Sequence, residues 1–256
     1  IMSRLLETLE KKILVADGAM GTILYSEGLN TCPERYNLTH PEKVEQIHRS
    51  YIEAGADIIQ TNTYAANFIK LHRFGLEHTV KDINEAAVDI AKRAAKEDTF
   101  ILGTVGGLRD VQQGKLSLPE IQYHTEVQID ALISCDVDGL LFETYYDLKE
   151  LLTVVSLAHQ KYNVPIIAQL TASNTHYLID GTLISEAFDQ LISAGADIVG
   201  LNCHHGPHHM KRTFQHIDIP RHAFLSCYPN ASLLDIDHNH FKYSNNAQYF
   251  AAVAEQ

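Results

Sequence analysis

Ala194-Gly-Ala-Asp-Ile-Val-Gly-Leu-Asn-Cys203 joins a helix end, a tight turn and a short apolar strand, and it finishes on two side chains capable of chemistry. Glycine at position 195 closes the preceding helix, because glycine reaches the left-handed conformation of a helix C-terminal cap. The β-branched run that follows is too short for a helix and suits a buried strand. An echo lies upstream at Ala54-Gly-Ala-Asp-Ile-Ile59, which sets Asn62 and Thr63 in register with Asn202 and Cys203. A recurring helix-turn-strand unit fits a fold built from βα repeats.

Working outward from this unit, short β-branched runs alternate with amphipathic stretches along the whole chain. Strands are predicted at Lys12–Asp17, Asp57–Thr63, Phe100–Val105, Gly139–Glu143, Pro165–Leu170, Asp197–Asn202 and Ala223–Cys227. Helical periodicity fills the gaps at Glu42–Ile52, Val80–Lys96, Glu120–Ser134, Lys149–Tyr162 and Leu183–Ala194. Such an α/β pattern gives a parallel sheet, either open with helices on both faces or closed into a barrel. Closure is favoured because Asp17, Thr61-Asn62-Thr63, Glu143-Thr144, Thr171 and Asn202-Cys203 each follow an apolar run. Barrel active sites gather residues from many strand ends, whereas an open sheet concentrates them at one switch point. Asn245–Gln256 reads as the start of a helix after the seventh strand, so the expectation is a single domain over residues 1–256 that lacks an eighth strand.

Composition narrows the function. The 256 residues are 45% hydrophobic and 20% charged, enough for a sizeable core and too apolar for a disordered chain. A net charge of −12 argues against a nucleic-acid or anionic-membrane binder, which needs a basic face. No apolar run approaches the roughly 18 residues that span a bilayer. Cys32, Cys135, Cys203 and Cys227 show no paired spacing, which suits a reducing compartment, the cytoplasm, better than a disulfide framework.

Asp17-Gly-Ala-Met-Gly-Thr22 offers glycines that let backbone amides face an anion; a tight βα turn with a solvated Asp explains it equally well. It lacks the spacing of a dinucleotide or P-loop motif. Glu143 ends a strand where a carboxylate could hold an ammonium group, while Asp147 fits a helix cap. Thr61, Asn62 and Thr63 could bind a ligand or anchor a loop. A lone cysteine is more often a small core residue than a ligand, but Cys203 sits one step beyond a strand, before His204-His-Gly-Pro-His-His209. Those paired histidines lack the i, i+4 spacing of a helical chelate.

Five segments in order, Asp17–Thr22, Gly55–Thr63, Glu143-Thr144, Gly200–Cys203 with Gly206-Pro207, and Tyr228-Pro-Asn-Ala231, resemble the homocysteine S-methyltransferase family. The resemblance runs from about residue 5 to the end of the sequence. It implies a (β/α)8 TIM barrel and a zinc ion held at its mouth by three cysteines. Cys203 matches one of them; the other two belong to an adjacent Cys-Cys pair ending the eighth strand. No Cys-Cys pair occurs in these 256 residues, so two further cysteines are expected beyond Gln256. The resemblance also implies that Asn230 holds the metal when substrate is absent, that Asp17 and Glu143 bind the substrate ammonium, that Asn202 is a further substrate-binding residue, and that Gly18 and Thr63 lie near the substrate carboxylate. Gly103-Thr-Val-Gly-Gly107 departs from the family's usual Gly-Ser-x-Gly-Pro, which puts the local turn in doubt.

The implied reaction moves a methyl group to the thiol of L-homocysteine. A free thiol of pKa near 8.5 is mostly protonated at neutral pH, and zinc would bind and deprotonate it. The motif set looks most similar to bacterial proteins in which this module precedes a methylenetetrahydrofolate reductase module, implying a folate-linked donor ahead of S-methylmethionine and betaine. A metal-free amino-acid-binding module on the same barrel is the alternative. A Schiff-base lyase is disfavoured, since none of the strand ends named above carries a lysine.

Overall fold

The computed structural model describes residues 3–29, 31–109, 116–220, 223–231, 234–237, 240–243 and 247–255. At its centre is a parallel sheet whose strands lie side by side in chain order: β1 (Ile58–Gln60), β2 (Phe100–Gly106), β3 (Gly139–Tyr145), β4 (Ile166–Leu170), β5 (Ile198–Asn202) and β6 (Phe224–Tyr228). The segment expected as the first strand runs beside β1. Ala16 bridges Ile58 in parallel, and the Asp57 and Ile58 amides donate to the Val15 carbonyl. Only that bridge has ladder geometry, so the segment is an edge rather than a six-residue strand. Each neighbour follows the last around a curl, which is the arrangement of a partial βα barrel. Among the described residues β6 forms the far edge.

The pleat sorts side chains into two layers, because successive residues of a strand face opposite ways. Ile58, Phe100, Leu102, Leu141, Ile167 and Ile198 pack together with Leu5 on the concave side. Leu5 comes from the short Arg4–Leu9 helix, which plugs the N-terminal end of the curl and is held there by Arg4 stacked 4.1 Å over the Phe100 ring. The convex side, with Ile59, Ile101, Leu140, Phe142, Ala168, Val199 and Leu201, packs against the helices in a larger core. Following the register upward on the concave side, Leu141 is succeeded by Glu143, Gly200 by Asn202 and Ser226 by Tyr228. Polar residues therefore take over from apolar ones at the C-terminal mouth.

Helices Pro41–Glu53, Val80–Ala94, Leu118–Ile133, Leu148–Lys161 and Ile184–Ser193 fall within two residues of the periodic stretches. Ser117 and Glu120 form a reciprocal capping box, and Asp147 accepts the Glu150 amide at 3.0 Å as the expected cap. The echoed Ala-Gly-Ala-Asp turns are a structural device. Gly55 and Gly195 have φ of +108° and +109°, closing their helices in the left-handed conformation. The aspartates then reach back to the preceding segment, Asp57 accepting the Val15 amide at 2.9 Å and Asp197 the Ile166 amide at 2.8 Å. Asp138 does the same for Ile101.

A small antiparallel hairpin, β7 (Leu234–Asp237) and β8 (His240–Tyr243), follows β6 and was not anticipated. Each arm is only four residues long, and its alternation of apolar and polar residues is too brief to stand out. The helix expected at the end of the sequence is observed over Ala247–Ala254; Asn245, Asn246 and Gln256 lie outside the described residues. No helix among the described residues is long and apolar enough to cross a membrane.

His48, on the Pro41–Glu53 helix, is fully buried, and neither ring nitrogen has a partner. Burial pushes its pKa down to about 4, against a slight upward pull from Glu45. The unfolded chain takes up this proton near pH 6.5 and the folded chain does not. Stability from this group is therefore full above about pH 6.5 and falls by about 3 kcal/mol as pH drops to about 4. His48→Leu should remove that acid limb. Urea unfolding at about pH 7 and about pH 4.5 checks it, and an unchanged difference between the two pH values would contradict the assignment.

Candidate active site

The mouth of the curl is assembled from the first segment and the ends of β1, β3, β5 and β6. Asp17 is buried there, and its carboxylate accepts the Gln60 amide on one oxygen and the Gln60 side-chain amide on the other, both at 2.9 Å. Even so, its pKa is pushed up to about 8, chiefly by burial, with repulsion from Glu143 adding to it. Glu143 is pushed up to about 7 by burial, and Lys70 partly counters this. The Tyr228 phenol is raised far above its usual range by burial and then by Asp17 and Glu143. Two carboxyls and a phenol thus share one desolvated pocket that holds too little positive charge for both carboxyls to ionise. Such a pocket favours a cationic ligand.

Beside Glu143 the backbone is strained. Thr144, Cys203 and His204 have φ of 58°, 57° and 63°, a region that non-glycine residues seldom occupy and β-branched ones least. Asn202 braces this corner. Its Oδ1 accepts the Thr144 amide at 2.9 Å, and its Nδ2 donates to Thr144 Oγ1 at 2.7 Å. The same Nδ2 lies 3.4 Å from Glu143 Oε2 and 3.5 Å from Cys203 Sγ. Burial, then Glu143, pushes the Cys203 thiol up, while bonds from Thr144 and Asn202 draw it down.

The loop after β5 is tied to the loop after β6. The Cys203 amide donates to the Tyr228 carbonyl at 3.0 Å, and the Asn230 amide to the His205 carbonyl at 2.9 Å. Asn230 therefore stands next to the cysteine loop. His205 and His209 stack with ring centroids 3.8 Å apart, so they pack face to face instead of converging on a common point. Among the described residues no group of three His, Cys, Asp or Glu side chains could hold a metal ion. Of the other cysteines, Cys32 belongs to a separate buried cluster, Cys135 follows the Leu118–Ile133 helix, and Cys227 alternates with Ser226 and Tyr228 on β6. The residues present supply one thiolate and do not by themselves fit a three-thiolate zinc site.

Asp17, Glu143, Asn202 and Cys203 are brought together as the sequence suggested, and Gly18 follows Asp17 at the exposed rim. Thr63 is placed differently: fully buried, its hydroxyl donates to the Thr104 carbonyl at 2.7 Å and pairs with Thr61. Those bonds anchor the loop after β1. Gln60 and Tyr64 at the mouth were not singled out from the sequence, and Thr144 and Tyr228 stood there only as members of quoted segments, with no role of their own. Gln60 could have been found by counting alternate positions from Ile58, and Tyr228 by pairing the Tyr-Pro-Asn-Ala segment with Asn202. Tyr64 lies in the loop after β1, with Lys70 Nζ 4.0 Å over its ring.

Residues 14–256 match the family model described as homocysteine S-methyltransferase. Methionine synthase from Mycobacterium tuberculosis is 32% identical over 252 residues, covering 90% of this chain and 21% of that protein. Betaine–homocysteine S-methyltransferase 1 from Danio rerio is 35% identical over 174 residues, covering 66% of this chain and 42% of that one. The chain thus spans less than half the length of either relative. Among solved structures, the metallated form of the homocysteine methyltransferase MmuM from Escherichia coli matches with a TM-score of 0.74 at 22% identity, covering 83% of this chain and 82% of that one. Its oxidised form matches with a TM-score of 0.77 at 24% identity, over 88% and 85%. These likenesses support the barrel-type fold, and the family match over residues 14–256 makes this chain a member of the homocysteine S-methyltransferase family.

Proposed function

We propose that this chain binds L-homocysteine and presents its sulfur for methylation, yielding methionine. The observation that carries this is the convergence of Asp17, Glu143 and Tyr228 on one desolvated pocket whose wall continues, through Asn202, to Cys203. An α-ammonium group supplies the positive charge that the two carboxyls lack, and binding it favours the ionised form of both. The Gly18 rim, where the backbone is exposed, receives the α-carboxylate, and Thr63 acts there by holding the loop. The thiol then extends toward Cys203.

Zinc is part of the proposal only with thiolates additional to Cys203, contributed by sequence beyond Gln256. The donor is proposed as folate-linked, with S-methylmethionine second and betaine third. A reductase module in the same polypeptide and a cytoplasmic location accompany the folate-linked alternative.

The test supplies the full-length protein with zinc, L-homocysteine and, in turn, methyltetrahydrofolate, S-methylmethionine and betaine. Methionine should form with one donor, and Cys203→Ala should abolish it while leaving the fold intact by circular dichroism. Failure to form methionine with all three, or full activity in Cys203→Ala, would sink the proposal.

A further inference from the structure

We infer that Asn202 is a positioning residue that fixes the spacing between the Glu143 carboxylate and the Cys203 sulfur, and through it the length of amino acid the site accepts; this rests on the homocysteine proposal above. Asn202 is 1% exposed, and its amide is fully occupied. A side-chain amide has two hydrogens to donate. Here the nitrogen already faces Thr144 Oγ1, Glu143 Oε2 and Cys203 Sγ, and the oxygen takes the Thr144 amide. No donor remains for a ligand, so the side chain acts through its neighbours.

What it holds is strained. Thr144, a β-branched residue, keeps a left-handed φ of 58° directly after Glu143, and Cys203 keeps 57° directly after Asn202. Residues adopt that conformation only when their surroundings over-determine it. Thr144 sits in the β-bulge of β3 between Phe142 and Tyr145, and the Asn202 bonds to its amide and hydroxyl brace that bulge, so the direction of the Glu143 side chain depends on them. Because Glu143 Oε2 and Cys203 Sγ lie 3.4 Å and 3.5 Å from the same nitrogen, the gap between them cannot exceed the sum of those distances. An amino acid with its ammonium on Glu143 and its thiol toward Cys203 has to match that gap. L-homocysteine and L-cysteine differ by one methylene, so the gap discriminates between them.

Calorimetry with L-homocysteine and L-cysteine tests this in the full-length protein. The unmodified protein should prefer homocysteine by about tenfold or more, the size of effect one methylene gives in a fitted site. Asn202→Ala and Asn202→Asp should each bring the ratio of the two affinities to within about threefold, both ligands sharing the same ammonium. Thr144→Gly removes the strain that needs bracing, so Asn202→Ala should change the ratio much less in that background. Hydrogen exchange without ligand gives a second readout. The Thr144 amide should lose protection in Asn202→Ala and keep it in Asn202→Asp, whose carboxylate still accepts that bond.

An unchanged ratio in both variants, an equal loss of affinity for both ligands, or unaltered exchange at Thr144 in Asn202→Ala would overturn the inference. Should Asn202→Ala not fold, Asn202→Asp carries the affinity ratio and Asn202→Ser carries both the ratio and the exchange measurement. Absence of homocysteine binding by the unmodified protein would instead remove the proposed function, while the exchange result would still show whether Asn202 holds this corner.

Discussion

Glu143→Gln is expected to weaken L-homocysteine binding by about a hundredfold, or about 3 kcal/mol, because it removes one charged partner from a desolvated ammonium site. The same substitution should shift the pH dependence. In the unmodified protein Asp17 is pushed up to about 8 and Glu143 to about 7, and each titration belongs to the pair, since repulsion from Glu143 helps raise Asp17. Ammonium binding therefore releases a proton near neutral pH. The dissociation constant should rise as pH falls below about 8, by about tenfold per unit down to about 7 and more steeply below it, where both carboxyls of the free site hold protons. Calorimetry in two buffers with different ionisation heats should show the released proton directly. With the neutral amide in place of the Glu143 carboxyl, the Coulombic push on Asp17 disappears, so the acid limb moves to lower pH.

Stability should respond in the opposite sense. Carboxyls whose folded pKa is raised contribute stability that is full below their unfolded pKa and is lost as pH rises through the folded value. Glu143→Gln should therefore unfold at a higher temperature than the unmodified protein at about pH 8, where the free site carries its unpaired charge. A homocysteine analogue lacking the amino group should bind both forms alike. An affinity change below about threefold, or an acid limb that stays where it was, would show that Glu143 does not meet the ammonium.

The sequence disclosed the layout of the barrel because each βα unit repeats its own punctuation. Gly55 and Gly195 end helices, Asp57 and Asp197 fasten the turns, and the apolar run that follows each is short. Glu143 was legible because it follows such a run on the concave parity of β3, where the pleat aims it at the mouth; Cys203, one residue past β5, was legible by its place after the run and turns into the mouth through its positive φ. The left-handed backbone of Thr144 could not be read, because threonine is among the residues least suited to a positive φ, and local propensity points away from what tertiary bonding enforces. Thr63 takes the loop-anchoring alternative that the sequence left open, its hydroxyl donating to the Thr104 carbonyl of the neighbouring strand, a pairing that only the register reveals. The departure at Gly103–Gly107 proved benign, since β2 continues unbroken through Gly106.

Gly200→Ala is expected to cost about 3 kcal/mol or more, at the upper end of overpacking penalties, and to lower the melting temperature by roughly 6–12 °C for a chain of this size. Gly200 lies on the concave face of β5 in register with Gln169 of β4 and Ser226 of β6. A methyl group there would run into the carbonyl oxygen and the hydroxyl of Ser226 and come within 2.7 Å of its carbonyl carbon. The hydroxyl could swing away, at the cost of the 3.1 Å bond it accepts from Gln169, but the carbonyl belongs to the backbone of β6 and cannot. Relief requires β5 and β6 to separate, two residues below the pairing of Asn202 with Tyr228 that builds the mouth. Ser226→Gly should consequently rescue Gly200→Ala only in part. Gly103→Ala provides the contrast: its methyl group would meet only side-chain carbons of Leu132, at 3.2 to 3.5 Å, which can yield, so the loss should stay within about 1 kcal/mol. Chemical unfolding of the four proteins decides the matter. Equal penalties at positions 103 and 200, or full rescue by Ser226→Gly, would mean that the glycine of the Gly-Leu-Asn-Cys segment is not retained for close approach of the two strands.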